Sequence, residues 1–161
     1  IQRTHEQSEQ AVSLWRGALA RRWECEVSGR RLYKRILRKM VDFYGSEHAP
    51  EVQLLSRSGA EANSSPSELL ADLRRLHAAL DVGSAPFYDF RLQAQIEQEC
   101  AALQQAIAET NTHENERRNA VLDHRMAREA YRRLRSETLR RLQMHYGDQF
   151  ASTVGDLFSE E

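Results

Sequence analysis

One phrase is written twice in this chain, and it limits what the chain can fold into more than any other feature. The first copy runs Arg30-Arg31-Leu32, Leu37-Arg38-Lys39-Met40, Tyr44-Gly45-Ser46, then Ala49, Val52 and Leu55. The second runs Arg132-Arg133-Leu134, Leu139-Arg140-Arg141-Leu142, Tyr146-Gly147-Asp148, then Ala151, Val154 and Leu157. At a constant offset of 102, the windows 30–55 and 132–157 share ten identities in 26 positions.

Each copy reads as the last turns of a basic amphipathic helix, a stop, and a short second helix. Gly45 and Gly147 stand where a helix end wants a left-handed residue, which glycine adopts without strain. Ser46 and Asp148 follow, and each can accept hydrogen bonds from the free N–H groups of a new helix. Pro50 suits a first helical turn, where its missing donor costs nothing. Cations crowd the turns before each glycine, at the negative end of the helix dipole. The phrase predicts an internal duplication, with units of about 11–56 and 113–158.

From about Glu9 to Tyr44 the periodicity is helical, after a polar start expected to fray. Val12, Trp15, Leu19, Trp23 and Val27 mark one apolar stripe. From Arg30 onward the residues come in pairs, cationic then apolar, which gives a helix one face of each kind. The two stripes differ in phase, and Ser28-Gly29 at their seam invites a kink. A short helix is expected near His48–Leu55, then an exposed small-residue loop over 56–66. Ser65 or Ser67 caps the next helix, whose Leu69, Leu70, Leu73, Leu76 and Leu80 recur at three and four. Gly83 ends it, and Ser84 with Pro86 opens another. There Leu92, Ile96, Cys100, Leu103 and Ile107 form a near-heptad seam of coiled-coil character. A turn is expected at Thr110-Asn111-Thr112, with Asn111 and Glu114 in the spacing of a capping box, the alternative being one uninterrupted helix. Core candidates on the last long helix are Val121, Leu122, Met126, Ala130, Leu134, Thr138, Leu142 and Tyr146. Tyr33, Phe43, Tyr44 and Tyr131 also fall on or beside the apolar stripes.

The expected fold is therefore all-α, one antiparallel bundle domain over 1–161 with about four long and two short helices. Only seven glycines and three prolines interrupt 161 residues, and almost no stretch alternates in the manner of a strand. The leucine-rich helix of about 15 residues is too short to cover partners of 35. Either the long rods project past it, or a second chain covers them, and exposed Leu and Trp stripes favour a homodimer.

The sequence has no phosphate loop, no His-Glu-x-x-His and no Gly-x-Ser-x-Gly. None of the six histidines follows a glutamate by three, as a di-iron bundle requires. Neither a catalytic set, a metal site nor a cofactor is expected. Cys25 and Cys100 lie in no metal or redox spacing, which points to packing thiols and a reducing, cytoplasmic setting. Neither a membrane-length apolar run nor a secretory signal is seen.

Net charge is −1, yet it is unevenly spread. Residues 16–39 hold nine Arg or Lys against two Glu, and residues 117–141 hold nine Arg against three acids. Arg30, Arg31, Lys34, Arg35, Arg38 and Lys39 form one candidate polyanion-binding face. Arg132, Arg133, Arg135, Arg140 and Arg141 form its counterpart, arginine forks being suited to phosphate. The acidic helices over 68–81 and 89–109 could instead neutralise both. The expected function is a non-enzymatic interaction or scaffold module that self-associates or holds another protein. Binding of nucleic acid or another polyanion through the arginine faces is the alternative.

Overall fold

A computed structural model describes residues 1–56, 65–81 and 90–147. Nearly all of them are helical, and none of the described residues is in a strand. In order, α1 is Gln2–Tyr44, α2 is Pro50–Ser56, α3 is Pro66–Asp81 and α4 is Phe90–Tyr146. The chain divides into two compact units, one of residues 12–115 and the other of residues 1–11 with residues from 116 onward.

In the first unit a continuous core joins the phrase's first copy to the leucine helix. Leu32, Tyr33, Ile36 and Met40 of α1 are buried with Val52 of α2, Leu69, Leu73, Leu76 and Leu80 of α3, and Leu92, Ile96 and Leu103 of α4. Leu37, Val41, Tyr44, Cys25, Cys100 and Ile107 pack partly against this cluster. Both apolar patterns read from the sequence, the paired residues of α1 and the leucines of α3, thus supply the core. Along α1 and α4 the cross-contacts run Ala18 carbonyl to Thr110 hydroxyl at 3.3 Å, Ser28 to Glu99 at 2.7 Å, and Arg35 to Gln95 at 2.5 Å.

Several expectations are corrected. The fifty-odd residues from Phe90 to Tyr146 form one helix, so no turn falls at Thr110-Asn111-Thr112. Thr110 and Thr112 donate their hydroxyls to the carbonyls of Ala106 and Ala108, four residues back, which threonine can do inside a helix as readily as it can cap one. The described elements are accordingly two very long helices, one of 16 residues and one of seven. Helix α1 starts at Gln2 where fraying was expected, and it runs through Ser28-Gly29 unbroken. Gly29 is buried there, and the position a Cβ would take lies 3.2 Å from Leu73 Cδ1. The seam between the two stripes is a point of close helix approach.

The corners stand as expected: Gly45 at φ 73° and Gly147 at φ 56° directly follow the tyrosines that end α1 and α4. Ser46 does not cap α2. Its hydroxyl accepts from the His48 N–H at 3.0 Å within the connecting turn, while the first helical bond of α2 runs from Gln53 to the Ala49 carbonyl at 2.9 Å. Ser65, the start of α3, does form a reciprocal box with Glu68. The loop over 57–64, the Gly83-Ser84-Pro86 boundary, the Asp148 cap and the last short helix lie outside the described residues.

In the second unit, Thr4 of α1 lies 3.2 Å from His124 Nδ1 of α4, and the His5 and His124 rings stand 5.2 Å apart. None of residues 111–146 is buried. The core candidates Val121, Leu122, Met126, Ala130, Leu134, Thr138 and Tyr146 are exposed, and Leu142 is half-buried. Tyr131 and Phe43 are likewise exposed. On the stripe nearer the start of α1, Trp23 is exposed while the unremarked Ala18 is buried.

Candidate functional site: the arginine-rich helix faces

The cationic face of α1 is built by the helix repeat itself. Because Leu32, Tyr33, Ile36 and Met40 turn inward to the core, the residues between them turn outward. Arg31, Lys34, Arg35, Arg38 and Lys39 are all exposed and line a shallow groove that ends at Asp42. Arg31, Lys34, Arg38 and Lys39 form no ion pair among the described residues. Arg35 donates to the Gln95 amide oxygen, a neutral partner that orients the guanidinium without cancelling its charge. Arg30 is the exception. It is half-buried and donates to Glu26 at 3.3 Å, the same carboxylate that takes Arg22 at 3.1 Å.

Of the carboxylates on α3 and α4, Glu109 pairs with Arg21 at 3.6 Å and buried Asp72 holds Arg75 of its own helix, while Glu99 accepts the Ser28 hydroxyl and lines a cleft with Arg31 and Arg35. A second groove beside the first joins Lys34 and Arg38 to Leu37, Val41 and His48.

On α4, Arg132, Arg133 and Arg140 are exposed and form no ion pair among the described residues. Arg141 pairs with Glu137 one turn away. Arg135 is half-buried and lines a cleft with Ile1, His5, His124, Tyr131 and Arg132. Arg128 lines this cleft too. Sequence reasoning passed over it, although it stands one turn before Arg132 on a helix. The predicted residues therefore fall into two sets, one in each unit: the α1 face is nearly continuous, and the α4 face is interrupted by Glu137.

Burial pushes the Cys25 thiol up, aided by the Glu99 carboxylate, and burial likewise raises Cys100 against the opposing pull of Arg74. Neither is held as the thiolate that covalent chemistry uses. No cluster of three or more His, Cys, Asp or Glu suited to a metal ion occurs among the described residues, and none of their helices is long and apolar enough to cross a membrane. Comparison with protein-family models, curated proteins and solved structures finds no match.

Proposed function

We propose that the chain is a helical interaction module that self-associates through the carboxy-terminal half of α4. The observation that carries this reading is the contrast between the two copies of the phrase. Leu32 in the first copy is 3% exposed, whereas its counterpart Leu134 is 64% exposed. Of the four α1 core positions, the second copy keeps leucine at 134, which is exposed, and at 142, which is half-buried, and has Arg135 and Thr138 at the other two.

Val121, Leu122, Met126 and Met144 share that exposure with Leu134. Helices depend on packing of an apolar face for most of their stability, and this one runs from residue 111 to 146 with nothing buried. Covering the exposed part of these side chains, roughly three-fifths of each, on two copies is worth roughly 9–18 kcal/mol at about 1.5–3 kcal/mol per whole side chain. That is comparable with the roughly 4–15 kcal/mol cost of bringing two chains together. The antiparallel bundle and the internal duplication belong to the same reading. The descending order of the α1–α4 contacts supports the first, and the matched positive φ of Gly45 and Gly147 supports the second.

Residues 121–147 hold seven arginines against three acids, Asp123, Glu129 and Glu137. Two copies meeting on this segment repel one another, and salt screens that repulsion. Sedimentation equilibrium of the full chain at low and high salt tests the reading. The expected result is a dimer that tightens with salt and that Leu122→Glu with Leu134→Glu converts to a helical monomer. A strict monomer at both salt concentrations overturns it.

A further inference from the structure

We infer that the exposed cationic face of α1 is a docking site for the phosphate backbone of duplex nucleic acid, read without regard to sequence. The inference stands on α1 alone and is independent of self-association through α4.

Arg31, Lys34, Arg35, Arg38 and Lys39 fall at helix positions i, i+3, i+4, i+7 and i+8, which places all five on one side. They cover eight residues of rise, about 12 Å, so successive cations are spaced by about 3 Å along the axis. One strand of a duplex carries a phosphate every 3.4 Å or so of its own axis. Because the strand winds around that axis, its phosphates lie farther apart than this rise, so the row of five cations faces about three successive phosphates and does not match them one to one. Three of the five are arginines, whose forked donors fit phosphate oxygens bidentately.

The face is also pre-ordered. The apolar residues that alternate with these cations lock α1 onto the core, and Gln95 holds the Arg35 guanidinium. The backbone then needs no ordering on binding, and only the long cationic side chains remain to be fixed. The nearby acids are Asp42 and Glu47, at the carboxy-terminal end of the grooves, and Glu99, which accepts the Ser28 hydroxyl and keeps its charge beside Arg31 and Arg35.

The alternatives fit less well. A helix that lies on a membrane surface inserts its apolar side beside its cations, and here that side is the protein core. Recognition of single strands wants aromatic side chains on which bases stack, and this groove has none among its lining residues. Arginine also reads guanine edges in the major groove, and comparison of two unrelated duplex sequences separates that contact from contact with the backbone.

Fluorescence anisotropy of the full chain with labelled DNA duplexes of two unrelated sequences tests the inference. The two duplexes are expected to bind alike, with log affinity falling against log salt at a slope of about −3, one phosphate contributing about −0.9. Arg31→Gln, Lys34→Gln and Arg38→Gln together are expected to flatten the slope by about 2 and to weaken binding at least tenfold. These side chains are exposed, so unchanged circular dichroism and thermal melting certify the fold. The triple change Arg132→Gln, Arg133→Gln and Arg140→Gln is expected to leave the slope as it was. Absence of binding at low salt, a slope that the α1 changes do not alter but the α4 changes do, or binding to phosphatidylserine vesicles in preference to duplex overturns it.

Discussion

Gly29 of α1 lies directly against Leu73 of α3: a Cβ at residue 29 would sit 3.2 Å from Leu73 Cδ1 and 3.5 Å from Leu69 Cδ2. Both leucines are fully buried, so neither has free space into which to withdraw. Gly17, on the same helix, has nothing within 4 Å of its own Cβ position. The two glycines should therefore respond oppositely. Gly17→Ala is expected to gain about 0.5–1 kcal/mol from helix propensity alone. Gly29→Val is expected to lose about 1–3 kcal/mol through overpacking, and Gly29→Ala should forfeit most of the propensity gain. Urea unfolding followed by circular dichroism measures all three, and a stabilised Gly29→Val would mean that α1 and α3 do not approach here.

Tyr33 is buried beside the Asp72–Arg75 pair. Burial first, and then the Asp72 carboxylate, push its phenol up to about 12, against the pull of Arg75. A phenol in the unfolded chain ionises near pH 10. The proton is thus held more tightly in the folded state. The resulting stability is fully present below about pH 10 and is lost as pH rises toward about 12. A shift of this size corresponds to about 3 kcal/mol. Unfolding free energies of the native chain and of Tyr33→Phe, compared from about pH 8 to 12, should differ by a constant amount up to about pH 10, and the gap should change only in the alkaline limb, where the phenylalanine variant loses less. Parallel curves would show that the phenol ionises freely in the fold.

The Ser65–Glu68 box predicts a local effect at the start of α3. The Glu68 N–H donates to the Ser65 hydroxyl at 3.2 Å, and the Ser65 N–H donates to the Glu68 carboxylate at 2.7 Å. The backbone bond from Ser65, followed by its side-chain bond, lowers the Glu68 pKa. A depressed carboxylate contributes stability above its ordinary pKa and loses it as pH falls through the lowered value. Ser65→Ala is expected to cost about 1 kcal/mol and to return the Glu68 titration part of the way upward. The retained backbone bond keeps the return partial. A carboxyl NMR titration reads the shift, and an unmoved Glu68 would mean that the box does not form in solution.

Much of this architecture is legible in the residues because it depends on local chemistry. Glycine alone takes the positive φ that ends α1 and α4 without strain, and Ser65 with Glu68 at a spacing of three caps α3 by reach alone. The leucines of α3 recur on one face, and that face is buried. Thr110 was misread because a hydroxyl near a helix terminus and one inside a helix use the same atoms. The deciding contact, its approach to the Ala18 carbonyl at 3.3 Å, lies 92 residues away. Ala18 escaped notice and Gly29 was read as inviting a kink for a related reason: a small side chain carries no hydrophobic signal, although small residues are what let helices approach closely. The arginine faces were legible as composition, but which of their cations form no ion pair among the described residues, as Arg31, Lys34, Arg38 and Lys39 do not, was not, because charge counting does not reveal which carboxylate turns toward which cation. For the stripe at 121–146, periodicity specified an apolar face and left open what covers it.

Leu32 and Leu134 turn that last distinction into a measurement. Leu32 is 3% exposed in a continuous core, so Leu32→Ala leaves a cavity and should cost about 2–5 kcal/mol at any protein concentration or salt. Leu134 is 64% exposed, so Leu134→Ala removes little that a single chain buries and should change unfolding of dilute protein by no more than about 0.5 kcal/mol. Its effect belongs to assembly. A symmetric dimer loses the side chain twice, roughly 2 kcal/mol or more for two leucines about two-thirds exposed, which weakens association roughly thirtyfold. Chemical unfolding at low concentration, paired with sedimentation across a concentration series, separates the two. Should Leu134→Ala destabilise the dilute chain as deeply as Leu32→Ala, the second copy of the phrase is packed within its own chain and the face available for self-association disappears.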